Sequence, residues 1–258
     1  MLLAIIIIQI KYGTTNNELI LYKFNNTDNL FLLQILWFFF YISFLVKIPS
    51  FPFHTWLPAA HAEAPTIGSV ILAGILLKLG TYGILRYNIY VYSNVLEENI
   101  SIYRNLLPII FIISLISIIY STLLSLRSLF DLKKLIAYSS IIHMNFSIFG
   151  LFSFDLYGLF GANLLIYSHA FISSCLFLLI GYLYNRTHTR NLLYLNSISI
   201  YMPIFSLFFL YFSFANLSIP IYTSFLSELL ILISCFHFNL FLTIFLLFTF
   251  ILSSSFFI

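Results

Sequence analysis

Charge is scarce in this chain. Only 7% of its 258 residues are Asp, Glu, Lys or Arg, eight acids against eleven bases. A soluble globular domain carries about a quarter of its residues as charge, so that class is excluded. The net charge of +3 is small and scattered, which excludes a nucleic-acid surface. Cysteine is nearly absent. Cys175 and Cys235 both sit in apolar runs and read as small buried hydrophobes, not as a disulfide or a metal site. There is no glycine-rich phosphate loop, no cysteine cluster motif and no flavin fingerprint, so no redox cofactor is expected on this chain. The opening MLLAIIIIQI lacks a basic stretch and a small-residue cleavage site, so no cleavable signal is expected.

Apolar residues fill the space: 62% of the chain is hydrophobic and 20% aromatic, with 31 Phe. The heavy use of Phe and Ile fits either an AT-rich organellar gene or simple lipid-facing packing. Apolar runs near 20 residues recur, the mark of membrane-spanning helices. They are continuous, not alternating, so helices are preferred over a β-barrel. Residues 1–10 form a partial span. Residues 29–60, 65–88, 106–126, 135–153, 157–184, 198–236 and 238–258 form seven full elements. Polar loops are read at Lys11–Asp28, Asn94–Arg104, Arg127–Lys134 and Asn185–Asn196. The expectation is an all-α, polytopic transmembrane bundle, a single domain over 1–258.

Two elements, 29–60 and 198–236, are too long for one straight helix, and proline interrupts each. The first breaks near Lys47–Pro52 and the second at Pro220. Each break has an ionisable residue beside it, Lys47 or Glu228. Paired discontinuous helices point to an inverted-repeat transporter and its ion site. By parity the loops at 127–134 and 185–196 lie on one side. They hold Arg127, Lys133, Lys134, Arg186 and Arg190, against Lys11, Lys23 and Arg104 opposite, so the first side is read as matrix-like or cytosolic.

The stretch Lys47–Arg86 concentrates the chemistry. Lys78 lies well within its span, too deep to reach water easily. A lysine at a bilayer centre costs at least about 2.5 kcal/mol, and burial opposes its charge while a nearby carboxylate restores it. Lys78 is either a proton-loading group or half of a static ion pair. Lys47, at a helix end, is either part of the same path or an ordinary snorkelling lysine. His143 and His169 lie in successive spans, with Ser139 and Ser140 near one and Ser168 and Ser173 near the other. They are either core histidines or a polar line suited to proton relay. Glu228, just after Pro220, can hold a proton or partner a lysine elsewhere. His54, His61 and Glu63 form a short polar cluster. Its spacing is wrong for a metal site, so His61 and Glu63 are expected to cap and anchor the next span. Asp131, Lys133 and Lys134 read as a solvated loop or helix-start cluster.

Four blocks carry a family resemblance: KIPSFPFHTWLPAAHAEAPTIGSVILAGILLKLGTYGILR (47–86), DLKKLIAYSSIIHMNF (131–146), YSHAFISSCLF (167–177) and PIFSLFFLYFSFANLSIPIYTSFLSELLIL (203–232). In this order they resemble the subunit-4 type of the antiporter-like, proton-pumping membrane subunits of mitochondrial NADH:ubiquinone oxidoreductase, respiratory complex I. The resemblance implies that Lys47, in the K-x-P-x-x-P-x-H motif with Pro49, Pro52 and His54, is the mid-membrane lysine of a broken helix. It implies that His143 and His169 are the relay histidines of the H-M-x-F and S-H-A blocks, and that Glu228 is the terminal charge of the axis.

It further implies proton translocation along Lys47, Lys78, His143, His169 and Glu228, coupled to quinone reduction elsewhere in the complex. Flavin, iron–sulfur clusters and quinone belong to other subunits. Membrane-arm subunits and lipids are the implied neighbours, and the mitochondrial inner membrane the implied location. Two departures stand out. Ala59 occupies a position where the family has an acid. The upstream helix bearing the glutamate that partners the Lys47 equivalent is not found in these residues, so a split subunit completed by a separate chain is expected. The rival functions are a cation/proton antiporter subunit of the same fold and a scaffold that does not pump.

Overall fold

The computed structural model describes residues 1–24, 30–91, 100–128, 130–195 and 198–254. The acids Asp28, Glu97 and Glu98, and Asn94 and Asn196, lie outside the described residues. Among the described residues there are helices and turns and no strand.

The chain begins with α1 (Leu2–Tyr12) and α2 (Asn17–Phe24). The second is a correction, since the polar composition after Lys11 had suggested loop alone. Next come α3 (Leu30–Lys47) and α4 (Trp56–Glu63), separated by turns that include a cis Phe51–Pro52 peptide. This is the first broken element, and the break falls at the Lys47–Pro52 stretch. Proline has no N–H to continue the ladder, so Pro49 and Pro52 end α3 where they stand. Then α5 runs Thr66–Tyr90 and α6 Ile100–Arg127. Helix α6 starts inside the stretch read as loop to Arg104.

Helices α7 (Leu132–Phe152) and α8 (Leu156–Thr187) follow. A turn at Leu192–Tyr194 and a short α9 (Ile198–Tyr201) lead to α10 (Pro203–Asn216). After the second break come α11 (Thr223–Phe238) and α12 (Leu240–Ser254). The break spans 217–222 around Pro220, with Ser218 left-handed at φ 54.

Among the described residues, four helices are long and apolar enough to cross a membrane: Thr66–Tyr90, Leu106–Arg127, Leu132–Phe152 and Leu156–Thr187. They are not equivalent. The most apolar stretch of α7 is 94% buried, against 39–56% for the other three. Helix α7 is therefore the hub, packed by α4, α6, α8 and α11, while α8 packs α5, α7, α10 and α11. The remaining helices turn Phe, Ile and Leu outward, as Phe208, Phe241 and Ile251 do. An outward apolar surface is stable where the surroundings are hydrocarbon.

Close approach at the hub depends on glycines of α7 and α8, Gly150, Gly158 and Gly161. A Cβ on Gly150 of α7 would lie 2.6 Å from the Gly158 carbonyl of α8, 2.9 Å from Ile231 of α11 and 3.0 Å from Ala162. By contrast, a Cβ on Gly68 meets nothing nearer than 3.5 Å. Gly150→Val should therefore destabilise the bundle by about 1–3 kcal/mol through overpacking, read as a lower thermal unfolding midpoint in detergent. Gly68→Ala should leave the midpoint unchanged or raise it.

Candidate functional site

The buried ionisable residues meet where α5, α8, α7 and α11 face one another. Lys78 of α5 sits just after a π-helical turn, Leu72–Leu76. There the Leu77 N–H bonds the Leu72 carbonyl, five residues back. The Ala73 carbonyl is thus freed from its usual donor, and the Lys78 ammonium takes it at 2.6 Å. Lys78 Nζ also lies 2.9 Å from His169 Nδ1 of α8. His169 is buried, and its ring centroid lies 5.5 Å from that of His143 on α7. His143 Nδ1 lies 3.1 Å from Glu228 Oε1 of α11. Lys78, His169, His143 and Glu228 therefore form one unbroken sequence of contacts across four helices.

The protonation pattern at its far end follows from the acceptors. His143 Nε2 faces the Asn216 carbonyl at 3.1 Å, and a carbonyl can only accept, so Nε2 carries a proton. In the neutral ring Nδ1 is then bare. The 3.1 Å approach to Glu228 Oε1 is favourable only with a proton between them, held by the ring or by the carboxyl. The Nδ1 contact is close in distance but lacks hydrogen-bond alignment. Asn216 is itself held by its side-chain amide donating to Ser139 Oγ at 3.1 Å. At the near end Lys78 donates to His169 Nδ1, and His169 Nε2 has no partner among the described residues.

Lys47 does not join this line. It ends α3, is exposed, and makes no hydrogen bond or ion pair among the described residues. It is close to the Lys78 helix all the same. A Cβ on Gly80 would lie 3.2 Å from Lys47 Cβ and 2.6 Å from Ile48, so glycine at position 80 lets the break press against α5. The freed backbone of the break is satisfied by side chains. The Trp56 indole donates to the Val46 carbonyl at 3.1 Å, and Asn145 of α7 donates to the Pro49 carbonyl at 3.3 Å.

His61 and Glu63 do not cap α5. Helix α5 starts at Pro65 with no side-chain cap. His61 is instead buried flat against Phe177, centroids 4.3 Å apart, while Glu63 is exposed. His54 is buried between Phe51 and Tyr120.

Lys133 is the residue that sequence reading misplaced. Asp131 caps α7 by accepting from the Lys133 N–H at 3.2 Å, as a helix-start acid should. Lys134 is exposed, but Lys133 is fully buried. Its ammonium donates to the Ala64 carbonyl at 2.8 Å. Arg190 donates to the Ala62 carbonyl at 2.8 Å and covers the Tyr184 ring at 4.3 Å. Pro65 has no N–H and ends α4, so those last carbonyls need outside donors, and cations suit a helix C-terminus. These bonds also gather the loops at 127–134 and 185–196 at one end of the bundle. Lys133→Met should destabilise the protein by about 1–3 kcal/mol by orphaning the Ala64 carbonyl. Lys133→Arg should keep most of that stability; the thermal midpoints of the two variants separate these outcomes.

The family model described as NADH:quinone oxidoreductase/Mrp antiporter, transmembrane, matches residues 1–253. NADH-ubiquinone oxidoreductase chain 4 of Chondrus crispus is 48% identical over 95% of this chain and 48% of its own length. The protein of the same name from Marchantia polymorpha is 47% identical over 93% and 46%. NADH-quinone oxidoreductase subunit M of Rickettsia conorii is 46% identical over 84% and 43%. The chain thus spans about half the length of the curated relatives it matches. In shape it is similar to a chain of respiratory complex I from Thermus thermophilus, with TM-score 0.88, 23% identity, and coverage of 99% of this chain and 53% of that one. It is also similar to a chain of the Mrp complex from Dietzia, with TM-score 0.86, 18% identity, and coverage of 99% and 46%.

Proposed function

The chain belongs to the NADH:quinone oxidoreductase/Mrp antiporter transmembrane family, and from that premise we propose that it is a membrane-arm subunit of the mitochondrial NADH:ubiquinone oxidoreductase. In this reading it carries protons across the inner membrane, driven by quinone reduction on other subunits. The flavin, the iron–sulfur clusters and the quinone site lie on those subunits, and this chain holds no redox group. One observation carries the proposal: Lys78, His169, His143 and Glu228 touch in sequence inside an apolar bundle. The names of the relatives that are 46–48% identical supply the coupling reaction.

The mechanism is a passage of charge along that line. Lys78, as an ammonium, donates to His169 Nδ1. When it gives that proton up, His169 becomes an imidazolium beside a neutral amine. His169⁺ then faces His143, and the proton held between His143 Nδ1 and Glu228 Oε1 moves toward the carboxylate. A unit charge about 4 Å away at an effective dielectric of about 20 is worth about 4 kcal/mol, roughly a thousandfold in a protonation equilibrium. Such a change is large enough to switch a neighbouring site. Lys47 is the head of the line in this proposal. Its carboxylate partner lies on a helix outside these 258 residues. A native gel stained for NADH oxidation, with mass spectrometry of the active band, tells whether a separate chain carries that helix.

Lys78→Met and Glu228→Gln remove one charge each from the line. In the assembled complex, reconstituted in liposomes, either variant should lower NADH-driven proton pumping at least tenfold. NADH oxidation by an artificial acceptor, which bypasses the membrane arm, should be unchanged. Full pumping by Lys78→Met at normal assembly would leave this chain a scaffold. The family model also covers Mrp antiporters. Recovery of the chain in a cation/proton exchanging complex without NADH-oxidising activity would favour that second reading.

A further inference from the structure

Helices α5 and α8 pack antiparallel and share one outward face. Gly181 sits against Thr66, Ala170 and Ser174 lie beside Gly74, and His169 meets Lys78, so the two helices run past each other residue for residue. From the seam of small residues at Gly74 and Ser174, each helix turns an exposed apolar stripe outward. The stripe runs through Ile67, Ile71 and Ile75 on α5, and through Leu164, Tyr167 and Phe171 on α8. Steps of three and four residues keep each stripe on one side of its helix. In antiparallel helices an equal rotation from the seam brings both stripes to the same side of the pair.

Each stripe ends on the same two residue types, four apart: exposed Tyr82 and Arg86 on α5, exposed Tyr182 and Arg186 on α8. The Arg86 guanidinium donates to the Tyr82 hydroxyl, and the Arg186 guanidinium lies over the Tyr182 ring, 5.0 Å from its centroid. In the first pair the phenol oxygen accepts, so its own proton is left to donate outward. Neither guanidinium contacts a carboxylate among the described residues. A guanidinium stays charged and presents a planar fork of N–H groups that fits two phosphate oxygens at once.

The distance between the pairs decides what can occupy them. Lys78 and His169 mark a common level. Arg86 is eight residues beyond Lys78, and Arg186 is 17 residues beyond His169, in opposite directions along the bundle. About 25 residues at about 1.5 Å each put the two arginines roughly 37 Å apart along the helix axes. The hydrocarbon core of a bilayer is about 30 Å thick, and about 40–45 Å with its headgroups, so the phosphates of the two leaflets lie between those limits. A protein partner would need an acid at each level to match. A bilayer supplies an anion at both by construction.

We propose that the α5–α8 face is a lipid contact in which Arg86 and Arg186, each braced by the tyrosine four residues before it, bind phospholipid phosphates of opposite leaflets. The two pairs then hold the bundle at one depth in the membrane. This stands on the membrane-spanning fold and uses no step of the proton line.

The test uses the assembled complex in phosphatidylcholine vesicles containing a small share of phosphatidylglycerol with a photoactivatable diazirine beside its headgroup. After illumination and peptic digestion, mass spectrometry should find adducts on peptides carrying Tyr82–Arg86 and Tyr182–Arg186. Arg86→Gln should lower labelling at its own site at least fivefold and leave the other site unchanged. Arg186→Gln should do the reverse, and each Arg→Lys variant should keep more label than its Arg→Gln counterpart. The unaffected site in each variant controls for folding. Labelling that neither Arg→Gln variant lowers would overturn the proposal. So would adducts on neither peptide, which would mean that another protein covers this face. Labelling is read without NADH or quinone, so its failure is distinct from a loss of pumping.

Discussion

Two breaks in an apolar bundle free backbone carbonyls where no lipid can bond them, and every other feature of this protein accommodates that constraint. Helix α7 supplies one donor to each break. Asn145 bonds the Pro49 carbonyl at the first break, and His143 bonds the Asn216 carbonyl at the second. The two residues are two apart, about 200° round a helix, so they face opposite ways. This explains why α7 is buried nearly throughout while its neighbours are half open. A helix wedged between two breaks must be surrounded, and Gly150 lets its neighbours come close enough to do it.

The same bond ties proton chemistry to backbone structure. His143 uses one nitrogen to hold the end of α10 and the other to approach Glu228. Nε2 faces the Asn216 carbonyl, and Nδ1 is the nitrogen turned toward the carboxylate. At the first break the corresponding duty falls on a neutral amide, Asn145, which cannot titrate. The two breaks are alike in shape and unlike in chemistry, and the contacts to Glu228 and His169 meet α7 at the histidine.

What could be read from the sequence divides along physical lines. The fold class and both breaks were legible, because apolar run length and the missing N–H of proline act locally. That His143 and His169 would meet was implied by two histidines in successive spans, and their ring centroids are 5.5 Å apart. Lys133 was misread because its partner, the Ala64 carbonyl, is 69 residues away and is backbone, which no side-chain pattern announces. The carbonyls of Ala73 and Asn216 escaped notice for the same reason. Helix α2 was missed because Asn and Thr near it resemble loop composition. Lys47 stands apart from the line, at a surface of α3 that these helices leave uncovered.

The π-helical turn ahead of Lys78 sets the angular phase of everything after it. One residue more than an α-turn is accommodated at Leu72–Leu76. Each residue advances a helix by about 100°. Losing one residue between Thr66 and Leu77 would swing the ammonium away from His169 to another face of α5, with composition and hydropathy almost unaltered. The length of this segment, more than the identity of its aliphatic side chains, is what the site constrains. Substitution there is cheap, whereas insertion and deletion disconnect the lysine from the histidine.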